Sequence, residues 1–224
     1  MPDRERAREL ATESLRRGDP LGWFEQLYQE AEQGKCEVPW ADLCPNPHLL
    51  DFWKTCPQQM VGKTALVIGS GVGDDSEQLA AWGFQTTAFD ISETAVQVTH
   101  RRFPNTHVEY LVADLLDPPA TWHHNFDLVL EVYTLQVLPE KLRPLAIEKI
   151  AGFLKPAGSL LVIARGRDQA DPSGEMPWPL TREELQEFTR AGLKEVSFED
   201  YLDPEDPHVR RFRALYTNAH SAKD

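Results

Sequence analysis

The stretch from Thr64 to Ser92, TALVIGSGVGDDSEQLAAWGFQTTAFDIS, decides how the rest of the chain is read. It opens on a short apolar run, Ala65-Leu66-Val67-Ile68, of the kind that forms a strand buried on both faces. Gly69, Gly71 and Gly73 follow at alternate positions. Asp74, Asp75 and Ser76 then offer capping and first-turn chemistry for a helix. That helix carries Leu79, Ala80 and Ala81 and is expected to stop near Gly83. A second apolar strand, Phe84 to Phe89, ends on Asp90. The unit is strand, glycine turn, helix, strand, with a carboxylate at its end.

Residues without a Cβ let backbone N–H groups approach a ligand closely. In a parallel sheet, ligands sit beyond the carboxyl ends of the strands, where the glycines and Asp90 both fall. An acid there accepts hydrogen bonds from ribose hydroxyls. A dinucleotide fingerprint, G-x-G-x-x-G, needs glycine where this chain has Asp74. A carboxylate at that helix start repels a pyrophosphate, so NAD is disfavoured. A P-loop is excluded, because no G-K-[ST] closes the turn. A cationic ligand carrying ribose and an amino group, S-adenosylmethionine, fits better. The competing reading is a tight βα turn with no ligand.

Composition narrows the classes further. With 224 residues and 41% hydrophobic content, the chain suffices for one α/β domain with an N-terminal extension. A formal net charge of −13 disfavours nucleic acid or anionic lipid as partner. The acid is dispersed and reads as a solvated surface. No apolar run is long enough to span a bilayer, and the N-terminus reads as a charged helix rather than a signal peptide. Cys36, Cys44 and Cys56 are odd in number and loosely spaced, which argues against a disulfide framework or a zinc site. No metal is expected, and a reducing cytoplasm is the expected setting. Oligomeric state is left open.

Before the central unit, Pro2 to Arg17 reads as a charged helix and Leu21 to Gln33 as a second one, with Trp23, Phe24, Leu27 and Tyr28 at helical spacing. A proline-punctuated loop contains Val38-Pro39-Trp40-Ala41-Asp42, and a short helix spans Pro47 to Thr55. Residues 1–60 are expected to form a helical cap over the ligand. Trp23 and Trp40 are its candidate contacts, because an indole face attracts a cation such as a sulfonium; simple packing is the alternative for both.

Beyond Asp90, Ser92 is expected to cap a helix running to Arg102. The third strand, Val108 to Ala113, ends at Asp114, where a carboxylate can accept from an adenine amino group or bond its own turn. The fourth strand, Phe126 to Glu131, opens toward the ligand crevice. His123 and His124 precede it and read as solvated loop residues at the far, amino end. A helix over Pro139 to Leu154 is set off by Lys155-Pro156-Ala157-Gly158 from the fifth strand, Ser159 to Ala164. The long loop from Arg165 to Pro179 is placed to act as a lid. Thr181 with Glu184 is a capping box. Leu193 to Tyr201 and Val209 to Asn218 alternate apolar and polar residues, as an antiparallel pair does. Residues 219–224 read as a frayed tail behind a domain spanning 61–218.

From Thr64 onward the chain resembles the class I S-adenosylmethionine-dependent methyltransferases, closest to their thiol, halide and thiopurine branch. The resemblance rests on Ala65-Leu66-Val67-Ile68-Gly69-Ser70-Gly71, Asp90-Ile91-Ser92-Glu93-Thr94-Ala95, Phe126-Asp127-Leu128-Val129 and Leu154-Lys155-Pro156-Ala157-Gly158. Trp23 and Pro39-Trp40-Ala41-Asp42 carry the branch. It implies a doubly wound, mostly parallel seven-stranded sheet in three layers, with a C-terminal antiparallel hairpin. It further implies that Gly69, Ser70 and Gly71 lie along the methionine and ribose, and that Asp90 binds the ribose hydroxyls. Ile91 would lie against the adenine, Asp114 and the Leu115 backbone would read its edge, and Glu131 would contact cofactor or substrate. One departure is Val67, where most of the family has an acid; Asp74 or Asp75 is the candidate substitute.

The implied reaction is methyl transfer to a small molecule: a thiol, a thiopurine-like sulfur or a halide, with an oxygen or nitrogen acceptor as the alternative. An NAD(P)-linked oxidoreductase and a non-catalytic cofactor-binding protein are the competing classes. A thiol ionises near neutral pH and needs little base catalysis. Tyr133 is the candidate to orient or deprotonate the acceptor, Arg165 to hold an anionic group, and Trp178 to close the lid. Packing, a solvated turn and a loop anchor are their respective alternatives.

Overall fold

The computed structural model describes residues 4–55, 62–204, 206 and 208–219. Pro2, Cys56 and the tail from His220 lie outside them. Strands β1 (Thr64–Ile68), β2 (Gln85–Asp90), β3 (Glu109–Val112), β4 (Phe126–Val132), β5 (Leu154–Arg165), β6 (Leu193–Leu202) and β7 (Arg210–Asn218) form one seven-stranded sheet in the order β3-β2-β1-β4-β5-β7-β6. β1 pairs parallel with β4, β2 with β3, and β4 with β5. β7 runs antiparallel to both β5 and β6. This is the implied fold, hairpin included.

Contacts gather the chain into two compact units. One comprises the described residues up to Gly62 together with Gly69–Asp114; the other comprises Lys63–Ile68 and the described residues from Leu115 onward. The first holds helices α1 (Glu5–Arg16), α2 (Gly22–Glu32), α3 (Pro47–Thr55), α4 (Asp74–Ala81) and α5 (Glu93–Arg102), with β2 and β3. Its core includes Leu10, Trp23, Leu27, Leu49 and Phe89, none more than 2% exposed. Burying each such side chain contributes about 1.5–3 kcal/mol. Arg6 joins α1 to α2 through a forked pair with Glu30, both bonds 2.7 Å long. That pairing pulls the Glu30 carboxyl down to about 2.

The second unit holds the remaining strands with α6 (Arg143–Gly152) and α7 (Arg182–Arg190). The apolar run of β1 is buried as its composition demands, as are Val129, Leu130 and Leu160 to Ala164. The capping box opens α7: Thr181 accepts from the Glu184 N–H, and the Glu184 carboxylate accepts from the Thr181 N–H.

Two expectations need correction. The stretch Lys155-Pro156-Ala157-Gly158 lies inside β5 as a bulge, not between helix and strand. Pairing with β4 jumps from Phe126 opposite Leu154 to Leu128 opposite Ser159. Pro156 has no N–H to give the ladder, and Ala157 adopts a φ of 62°, so the extra residues loop out. The expected helix from Pro139 divides into a short 3-10 turn, Glu140–Leu142, and then α6. Pro144, near the start of α6, sits where its missing N–H costs nothing.

Candidate cofactor site

The glycine turn and its acid belong to the first unit. The Ser70 N–H donates to the Phe89 carbonyl at 2.8 Å, and the Gly73 N–H to the Ser70 carbonyl at 3.0 Å. Asp90 is buried, and its two oxygens divide the work. Oδ2 accepts from the Gly71 N–H at 2.9 Å and Oδ1 from the Ser92 N–H at 2.9 Å. One carboxylate thus ties the turn after β1 to the turn after β2. Burial raises the Asp90 carboxyl above its usual range, against the pull of those backbone donors.

Gly73, not one of the following acids, is the N-cap of α4, and Asp74 and Asp75 lie in its first turn. The φ of Gly73 is +97°, and a Cβ there would lie 2.7 Å from Thr99 Cγ2 and 2.8 Å from the Tyr110 hydroxyl. Asp74 is forked onto Arg102, with both bonds 2.8 Å long, and Arg102 also donates to the Val72 carbonyl. The expectation of an unbalanced negative charge at this helix start is therefore corrected: Arg102 neutralises it. Repulsion of a pyrophosphate by Asp74 is weakened accordingly, while Asp75 and Glu77 remain in the same first turn. Asp75 accepts from the Asn46 N–H at 2.6 Å, and loss of hydration raises its carboxyl to about 6.

Helix α2 brings a residue the sequence reading passed over. The Tyr28 hydroxyl accepts from the Trp40 indole N–H at 2.9 Å, and a Cβ on Gly71 would lie 3.2 Å from it. Burial, and then the Asp90 charge, push the Tyr28 phenol up, so its proton is retained. An indole N–H only donates, so this bond leaves the Tyr28 proton to another acceptor. Tyr28 looked like one more member of an apolar stripe; only its place beside Gly71 separates it from Leu27. Trp23 is 1% exposed, stacks on Phe24 at 3.9 Å and meets Trp40 edge-on at 6.0 Å. Trp23 thus packs behind Trp40, which stays half-buried. Ile91 and Asp114 are half-buried beyond the ends of β2 and β3, and the Ala113 N–H donates to the Asp90 carbonyl at 3.0 Å.

The second unit carries Leu115, Glu131, Tyr133, Arg165 and Trp178. Leu115 is buried. Glu131 is fully buried near the end of β4. Its Oε1 accepts from the Thr134 N–H at 2.7 Å and the Leu135 N–H at 2.9 Å, while Oε2 has no partner. Burial raises this carboxyl to about 7, opposed by those two donors. Tyr133 follows with a φ of 64°, and its ring lies 4.9 Å from the Arg211 guanidinium. Arg165 pairs with Arg211 across β5 and β7.

Gln136 braces both ends of the long loop, its side-chain oxygen accepting from the Arg165 N–H and its carbonyl from the Trp178 N–H, each at 2.7 Å. The loop anchor read for Trp178 is thus present in its backbone. His123 and His124 are exposed, as expected. No cluster able to hold a metal and no helix long and apolar enough to cross a membrane occurs among the described residues.

Comparison with known proteins adds identity to this geometry. Residues 65–158 match the methyltransferase domain family. The chain is 26% identical over 187 residues to a probable thiol methyltransferase 2 of Arabidopsis thaliana, covering 79% of this chain and 81% of that one. It is 33% identical over 128 residues to a ubiquinone biosynthesis O-methyltransferase of Xanthomonas campestris, covering 56% of this chain and spanning about half of that enzyme's length (52%). Among solved structures, the N-methyltransferase NodS from Bradyrhizobium japonicum, in complex with S-adenosylhomocysteine, superposes with a TM-score of 0.65 at 19% identity, over 86% of this chain and 98% of that one. The strand order and the domain match agree: residues 65–158 match a methyltransferase domain, and the sheet is the one the resemblance to the class I S-adenosylmethionine-dependent methyltransferases implies.

Proposed function

We propose that this chain binds S-adenosylmethionine against the glycine turn and Asp90 and methylates a small molecule at sulfur, or a halide. The observation favouring a sulfur acceptor is the extent of the thiol methyltransferase likeness, which covers 79% of the chain against 56% for the ubiquinone relative. The residues present fit the cofactor. Gly71 leaves open the space a Cβ would take beside Tyr28, and the Ser70 hydroxyl is buried without a partner.

In this reading Gly69, Ser70 and Gly71 follow the methionine and ribose, and Asp90 accepts from the ribose hydroxyls. Ile91, Asp114 and Leu115 frame the adenine. Trp40 offers its face to the positive charge, backed by Trp23. Asp75 takes the amino group that Val67 cannot hold, and Glu131 contacts cofactor or substrate. When bound, the cofactor supplies an activated sulfonium methyl. The chain's own task is alignment of the acceptor and exclusion of water. Tyr133 orients the acceptor, Arg165 holds an anionic group on it, and Trp178 borders its entry.

Transfer to oxygen is a second reading, favoured by one observation. A buried carboxyl raised to about 7, as Glu131 is, suits a general base near neutral pH. Incubation of the protein with methyl-labelled cofactor and a panel of thiols, halides, phenols and amines separates the two. Label in thiols or halides is expected; label confined to phenols or amines contradicts the sulfur reading.

A further inference from the structure

Glu25 is half-buried on α2, and its hydrogen bonds to other elements go to one place. Its carboxylate accepts from the Ser92 hydroxyl at 2.6 Å, the Thr94 hydroxyl at 2.6 Å and the Thr94 N–H at 3.1 Å. Ser92 is itself the cap of α5, accepting from the Ala95 N–H. Glu25 therefore supplies a second cap to the same helix end, from a different helix. A negative charge is favoured there by the first-turn N–H groups. The segment it grips begins two residues after Asp90 and includes the Ser92 N–H that Asp90 holds.

The same helix places Tyr28 beside Gly71, less than one turn further along. A second link, from Arg101 near the end of α5 to Glu32, fixes the other end of the contact. Arg101 and Glu32 are about half exposed, so that pair contributes little. The Glu25 contact, with charge-assisted bonds to three donors, is the stronger of the two. Loss of hydration drives the Glu25 carboxyl up, and the Ser92 and Thr94 donors outweigh it, leaving it below its usual value.

We propose that Glu25 is a positioning residue for cofactor binding: its grip on Ser92 and Thr94 holds α2 in register with the turn after β2, and so holds Tyr28 and Trp40 against the glycine turn. The inference rests on the cofactor reading above. Glu25 touches no part of the ligand in this account; it sets Trp40, which faces the ligand, and Tyr28, which lies beside Gly71.

The experiment measures S-adenosylhomocysteine affinity by calorimetry for wild type, Glu25→Ala, Glu25→Gln and Thr94→Val. It adds steady-state kinetics in each substrate, and circular dichroism to establish folding. Glu25→Ala is expected to weaken S-adenosylhomocysteine by about tenfold or more, and Thr94→Val, which removes one of three donors, by roughly threefold. A Glu25→Ala/Thr94→Val double variant, added to the panel, should be no weaker than Glu25→Ala alone, because both act through one contact. The cofactor KM should rise while the acceptor KM at saturating cofactor stays within about twofold, a split that general loosening does not produce. Should Glu25→Ala fail to fold, Thr94→Val and Glu25→Gln carry the test. Folded variants with wild-type affinity overturn the inference while leaving the cofactor reading intact. A wild-type chain that binds no S-adenosylhomocysteine overturns both.

Discussion

At the scale of single residues, Asp90 and Glu131 differ in how their oxygens are used. Asp90 has both oxygens on backbone donors, so it is structural, and in the proposed reading it also accepts from the ribose. Asp90→Asn keeps most of the shape but loses charge. It should weaken S-adenosylhomocysteine by roughly 10- to 100-fold, the scale of charge-assisted bonds to two hydroxyls, as read by calorimetry. Asp90→Ala should in addition cost about 1–3 kcal/mol of stability, because the Gly71 and Ser92 N–H groups are left without partners. Glu131 is the opposite case, with one oxygen satisfied and one buried alone. Its folded-state value of about 7 lies above its unfolded value, so the folded chain favours the protonated form. Its contribution is fully present below the unfolded value, near 4.5, and is lost as pH rises through about 7. Glu131→Gln removes that loss. It should stabilise the protein at pH 8 by up to about 3 kcal/mol and do nothing at pH 4, while methyl transfer falls. Melting curves at the two pH values decide this; equal effects at both would refute the assignment.

The elements were legible wherever one physical signal dominated. Strands β1 and β4 are apolar runs, and α7 is announced by its capping box. Thr181→Ala should cost about 1 kcal/mol in a denaturant titration, as loss of such a cap does. Gly73 is legible only as a glycine. Its φ of +97° and the crowding of Thr99 and Tyr110 appear with the fold, and Gly73→Ala should destabilise by about 1–3 kcal/mol. The bulge in β5 was missed because Pro156 and Gly158 signal a break equally well inside a strand or beside one. Tyr28 and Glu25 were missed for a related reason. Helical spacing identifies the face of α2, while the partner of each side chain on that face is decided by residues far along the chain, such as Gly71, Ser92 and Thr94. The Asp74–Arg102 pair is likewise non-local, which is why the acid read as an unbalanced charge.

For the whole molecule, the strand order and hairpin follow from the pattern of runs and turns. The acceptor does not, because it depends on side chains drawn from several strand ends and loops. The methyl-labelling panel addresses it. The claim beneath all of this is that the Gly69–Gly73 turn, tied to Asp90, is the seat of an adenosyl sulfonium. A calorimetric titration of the wild-type chain and a folded Asp90 variant with S-adenosylhomocysteine tests it most directly. Saturable one-to-one binding by wild type, greatly weakened in the variant, is the predicted result. No binding by wild type, or equal affinity in both, would contradict the account.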